Sequence, residues 1–510
     1  MVSDSWRRRD VLALAGIGAA SGMLVSVQGF AQTQSSTSGA FDPASIVDQA
    51  SALAKKPFKA PAADLPEAFG KLSYEQYVTI KSRPGTAIWL NEATGFAIEP
   101  LHRGFALSTP MHINIVENGV ARQLIYDAAA FDFGGLDIKP PTDDIGFSGF
   151  RVLQPRENGE LMDAAIFQGY SFFRAMARGQ NFGIVARALS IRTADANGEE
   201  LPVIRSVWIE KPSLASNALV IHALLDSESA SGAFRFTLRP GDATIIDTEG
   251  TLFTRVKIEN FGLGAMQGTA LLGPLDRRKF DDVRPEVADA NGLQMLTGKG
   301  EWLWRPVSNR DALQISWFVD ENPKGFGLIQ RQRRAEQFLD DDQHWEQRPS
   351  LWIEPIGNWG AGAVQLIEIP SESENNDNIV AFWRPKVPLA AGDTHSFAYR
   401  QFWCWSPPEH PPLAVAILSR SGRTGKRRRF VVEFAGEILG DLQRTADLQP
   451  RLSVGPGTIT AMRGFLSREA RTFRVVFDLD PGAETLCELR LLLEAGGKPL
   501  SETWIYRWTP

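Results

Sequence analysis

Two aspartates and a run of tryptophans are the residues of this 510-residue chain whose types and setting could do chemistry. Nine of the 14 tryptophans lie between Trp302 and Trp405, in a segment that also carries Asp311, Asp320, Asp340 to Asp342, Glu354, Glu368, Glu372, Glu374 and Asp377. A sugar ring has an apolar C–H face that covers an aromatic plane and a rim of hydroxyls that needs hydrogen bonds, so interleaved indoles and acids point to a neutral carbohydrate. A tryptophan in a β-rich protein more often fills the core than faces a ligand. Trp302 and Trp304, on one face of a strand in Glu301–Arg305, suit either setting. Cleavage of a glycosidic bond needs one carboxyl group to protonate the leaving oxygen and another to activate water or attack carbon. Asp377 stands where the polar run Ser371–Asn376 meets the apolar run Ile379–Trp383, the setting of an acid at a cleft wall and equally of a turn-forming residue. Asp289, in Ala288-Asp-Ala-Asn-Gly292, reads first as a turn.

Other chemistries lack their signatures. Gly146-Phe-Ser-Gly-Phe150 misses the second glycine of a nucleophile elbow, Gly298-Lys-Gly300 has no P-loop spacing, and the six histidines show no metal-ligand pattern. No cofactor or metal is expected. Fifty-four basic against 60 acidic residues leave a net charge of −6, which excludes the basic field of a dedicated nucleic-acid binder. Two cysteines, Cys404 and Cys487, make no disulfide framework. The cluster Arg423, Lys426 to Arg429 reads as a solvated hairpin.

The elements that must position these residues are mostly strands. At 43% hydrophobic and 22% charged the chain is globular, and its length suggests about three domains, or two if one is a large sandwich. Arg7-Arg8-Arg9-Asp10-Val11-Leu12 precedes a charge-free apolar run to Val27 and a small-residue site near Ala31, so residues 1–31 read as a twin-arginine signal peptide for export to the periplasm. No later segment is long and apolar enough to span a bilayer, so an integral membrane protein is not expected. Asp42-Pro43 opens a helix whose apolar stripe is Ile46, Val47, Ala50, Leu53 and Ala54, ended by Lys55-Lys56-Pro57. From about Ala87 the pattern turns to period two, as in Phe234–Arg239, Thr251–Val256 and Leu351–Glu354, with 45 glycines and 31 prolines for turns. The expected architecture is mostly β: a large multi-stranded β-sandwich domain over residues 41–405, a proline linker at Pro407–Pro412, and a smaller immunoglobulin-like sandwich over 413–510.

Long segments resemble the periplasmic glucan biosynthesis family, MdoG/OpgG and OpgD: Gly146–Arg151, Gly169–Ala175, Leu224–Ser227, Arg284–Val287, Gly300–Pro306, Asn322–Leu328, Arg348–Pro355 and Asn376–Trp383. The likeness runs from about Phe41 through Trp405, and the leader resembles that of the OpgD branch. The resemblance implies a large β-sandwich with an extended cleft, a smaller immunoglobulin-like domain, and action on β-1,2-linked glucan by an inverting mechanism. By the same resemblance Asp377 is the general acid and Asp289 the general base, reached through ordered water. Trp302, Trp304, Trp352, Trp359, Trp383, Arg284 and Arg348 are the candidate substrate-binding residues. Two positions depart from the family pattern. Ala288 replaces a histidine before the base, and Trp345 occupies a proton-relay position usually held by tyrosine, with an N–H donor but no ionisable hydroxyl. A weakened water path favours transglycosylation over hydrolysis. The alternatives are a non-catalytic glucan carrier and a scaffold whose last domain docks other glucan biosynthesis proteins.

Overall fold

The computed structural model describes residues 39–510 except 63, 157–159, 214–215 and 278–279; the expected signal peptide lies outside the described residues. Strands dominate and helices are few, as the period-two pattern requires. The chain divides into two compact units, one of the residues up to Ala265 with Ile356–Trp359 and Trp383–Cys404, the other of Met266–Pro355, Gly360–Phe382 and Trp405–Pro510.

In the first unit the expected helix spans Ala44–Ala54, opened by the Asp42 carboxylate accepting the Ala44 N–H at 2.9 Å. Ile46 and Ala50 pack with Leu224 and Ala233, while Val47, expected in the same stripe, is exposed. The strands Val203–Glu210, Leu219–Asp226, Ala230–Arg239, Ala243–Thr254 and Thr394–Cys404 form an antiparallel meander, extended by His112–Glu117 in parallel with Val203–Glu210. A second sheet runs from Ala97–Leu101 through Gly149–Pro155, Leu161–Gln168 and Phe172–Ala175 to Val185–Arg187. The two meet where Phe236 packs against Phe167 and Phe173, at ring distances of 5.4 and 5.2 Å.

The second unit contains both candidate aspartates. Strands Gly325–Ile329, Gly292–Leu296 and Trp302–Pro306 pair antiparallel, and Trp302–Pro306 then pairs in parallel with Thr503–Trp508, which pairs with Cys487–Ala495 and on to Gln449–Gly455. A four-stranded sheet of Val415–Thr424, Arg427–Ala435, Thr472–Asp480 and Thr458–Ser467 packs on it through Phe430, Phe477, Trp504 and Tyr506. The residues after the proline cluster thus form two facing sheets, but one of these continues into Trp302–Pro306, and the unit they belong to reaches back to Met266. The chain passes from the first unit to the second between Cys404 and Trp405, just ahead of the proline cluster. Cys404 and Cys487 are both buried.

Candidate active site

One short stretch of main chain gathers the two aspartates. Gln267 lies near the end of strand Phe261–Gly268, and its side-chain amide donates to Asp377 Oδ2 at 2.7 Å. Two residues on, the Thr269 N–H donates to Asp289 Oδ2 at 2.7 Å, and the Asp289 N–H donates back to the Thr269 carbonyl at 2.8 Å. Two residues of extended chain span about 7 Å, so the tripeptide Gln267-Gly268-Thr269 holds both carboxylates within one small region. Gly268 suits this closeness: a Cβ there would be tight against Asp289 Cβ and Oδ2, each at 3.1 Å.

Each aspartate has its own partners. Asp289 is 1% exposed and ion-paired to Arg348, whose Nη1 donates to Oδ1 at 2.6 Å. Its two hydrogen bonds use two of about four lone-pair directions, which leaves acceptor capacity for a water. Asp377 is 5% exposed, and the donor to its Oδ2 is the neutral amide of Gln267. The loop before it is held tightly. The Thr269 hydroxyl lies 3.0 Å from the carbonyl oxygens of both Glu374 and Asn376, and Asn378 accepts the Ala270 N–H at 2.7 Å and donates to the Ala270 carbonyl at 3.1 Å.

Arg348 and Arg284, expected to contact sugar, are committed to protein groups. Arg348 stacks 3.6 Å over the Trp345 ring and donates its other amino group to Gln343 at 2.7 Å. Arg284 donates to Asp340 at 2.6 Å, Glu374 at 2.6 Å and Asp282 at 2.8 Å. These bonds, that to Asp282 first, raise the Arg284 pKa, and Arg284 in turn holds the Asp282 carboxyl below its ordinary value. For Asp340 burial works upward, but hydrogen bonds from Arg284 and Trp345 outweigh it and the net shift is downward. Trp345 is itself buried, and its indole N–H donates to Asp340 at 2.9 Å. That donor is spent on a protein carboxylate. Ala288 faces away from Asp289, its carbonyl accepting from Gln330 at 2.8 Å.

The tryptophan platforms require correction. Trp352 and Trp383 have no exposed surface, and Trp302 and Trp304 are also buried. Trp302 stacks on Trp352 at 5.9 Å, and the Arg331 guanidinium covers the Trp304 face at 3.5 Å while its own charge pairs with Glu502. Strand alternation put these indoles on one face, and that face is core. Trp359 is partly exposed; it belongs with Trp383 to the other unit, packs on it at 6.4 Å, and donates its N–H to the Ala398 carbonyl. No face of Trp302, Trp304, Trp352 or Trp383 is open to a sugar in this structure.

Behind Asp289 lies a group that sequence reading passed over. Glu286 and Ala288 line a cavity of about 60 Å³ shared with Asn291, Asn309, Trp304 and Ser419. Glu286 is buried, and burial pushes its carboxyl up to about 7, only partly offset by the hydrogen bond that Asn291 donates. Alternation in Arg284–Asp289 was the available signal, since residues two apart share a face. Gln267, Thr269, Asp340 and Glu374 had no such signal, because their roles depend on loops brought together from distant parts of the chain. Among the described residues no group of three His, Cys, Asp or Glu side chains could hold a metal ion.

The profile of the family described as "Periplasmic glucan biosynthesis protein, MdoG" matches residues 41–508. This chain belongs to that family. It is 41% identical over 495 residues to a "Glucans biosynthesis protein G" of Vibrio cholerae, covering 96% of this chain and 89% of that one. Proteins of the same name from Rhodopseudomonas palustris and from Shewanella sp. MR-4 are 42% identical over 473 residues and 43% over 487, covering 92% and 94% of this chain and 94% and 88% of theirs. The family match encloses both aspartates, the tripeptide between them and the arginine contacts around them. It also encloses nearly all of both compact units, so the resemblance read from motifs up to Trp405 extends through the C-terminal sheets.

Proposed function

We propose that this protein is exported to the periplasm by its twin-arginine leader and acts there on β-1,2-glucan in periplasmic glucan biosynthesis, as an inverting hydrolase or transglycosylase. The observation that carries the reading is the shared anchoring of Asp289 and Asp377 by Gln267-Gly268-Thr269. Asp377, bonded by a neutral amide, is the proton donor to the departing oxygen. Asp289, paired with Arg348, accepts a proton from water through its remaining lone pairs. Neighbouring carboxylates with different partners divide acid from base work. With Trp345 bonded to Asp340, no tyrosine-like hydroxyl at that position assists water, which favours transfer to a sugar hydroxyl.

The test is incubation with linear β-1,2-glucan, followed by product sizing and by NMR of the newly formed anomer. Turnover with inversion supports the reading, and Asp377→Asn should then lose at least about a hundredfold in turnover while keeping glucan affinity within a few-fold. A second reading, a non-catalytic carrier, is favoured by the burial of both carboxylates. Binding without turnover by the unaltered protein selects it.

A further inference from the structure

Resting on the assignment of Asp377 as the acid, we infer that Arg284 is a positioning residue that latches the acid loop and makes no contact with sugar. Arg284 joins three separate segments through carboxylates: Asp282 beside it, Asp340 ahead of the turn Trp345–Gln347, and Glu374, three residues before Asp377. Its Nε bonds Asp282, Nη1 bonds Asp340, and Nη2 bonds both Asp282 and Glu374. Four of the five N–H groups of a guanidinium are thereby used on protein. The bonds also close a ring. From Asp289 it passes to Arg348, to the Trp345 face beneath it, through the indole N–H to Asp340, to Arg284, to Glu374, and through the Thr269 hydroxyl and amide back to Asp289.

The acid loop and the base are thus parts of one closed circuit, and Arg284 is the link that carries it from the Asp340 side to the loop. Without its charge, Asp282, Asp340 and Glu374 would point toward a common centre with no guanidinium between them, and like charges would drive the loop outward. Gln267 would still reach for Asp377 through its neutral amide.

Amide hydrogen exchange tests this directly. In the wild type the Ile369 N–H is held by the Asn378 carbonyl and the Ser371 N–H by Asn309, so both report on the loop. Arg284→Met should speed exchange in the peptide 369–378 by about tenfold or more, since bonds between charged partners are lost, and leave the four-stranded C-terminal sheet unchanged. Glu374→Gln, which removes one leg and keeps the arginine, should give a smaller change in the same place, and it serves if Arg284→Met does not fold. On glucan, kcat should fall with KM nearly constant in both. Unchanged loop exchange in the folded variants overturns the latch whether or not glucan is turned over. Loss of glucan affinity without faster loop exchange overturns it also, and returns Arg284 to the sugar. Absence of turnover in the wild type removes the functional reading alone, because the exchange comparison still decides the latch.

Discussion

Replacing Glu286 by glutamine should remove a pH dependence from the stability of this protein. Burial raises the Glu286 carboxyl from 4.5 to about 7 in the folded state. The folded protein then holds a proton that the unfolded chain has already released, so between those values stability falls as pH rises. The contribution is fully present below pH 4.5 and is lost as the pH climbs through about 7. Each tenfold gain in proton affinity on folding is worth about 1.4 kcal/mol, so the loss comes to about 3 kcal/mol. Glutamine stays neutral throughout, keeps an acceptor for Asn291, and resembles the protonated acid in size. Denaturant unfolding of wild type and Glu286→Gln from pH 5 to pH 8 measures the difference. The variant should match the wild type within about 1 kcal/mol at pH 5 and exceed it by about 2 to 3 kcal/mol at pH 8. A difference that stays constant across this range would refute the reasoning, because it would mean that Glu286 does not titrate there.

Other outcomes follow from the same contacts. Arg348→Met should cost about 3 to 5 kcal/mol of stability by leaving Asp289 buried without its cation, and adding Asp289→Asn should recover part of that loss in the same unfolding assay. Trp352→Ala should cost about 3 to 5 kcal/mol and leave glucan affinity unchanged, since the ring fills space against Trp302 and Gly325. Gly268→Ala should lower turnover more than it lowers the melting temperature, because the added methyl presses on the Asp289 carboxylate, which kinetics and calorimetry together would show.

The sequence made the local elements legible and the long-range ones only through likeness to a family. The helix Ala44–Ala54 and strands such as Ala230–Arg239 and Thr472–Asp480 follow from caps and alternation, which act over a few residues. Thr458–Ser467 escaped notice because nearly all of it is exposed and no apolar alternation marks it. Trp302 and Trp304 shared a face as expected, but alternation identifies a face without saying whether core or ligand lies against it. Locally, Asp289 and Asp377 were two turn-like acids; only tertiary folding sets them on either side of Gly268. Parallel pairing of Trp302–Pro306 with Thr503–Trp508 has no local signature, so the C-terminal strands looked self-contained.

That pairing governs when this half of the molecule is able to form. Thr503–Trp508 occupies an inner row, flanked on both sides by neighbours synthesised earlier. Trp302–Pro306 is synthesised long before Thr503–Trp508, so it must wait for that neighbour until the later strand has been made. The amino-terminal meander can assemble during synthesis, whereas loss of Thr503–Trp508 would strip a central row and leave two raw edges.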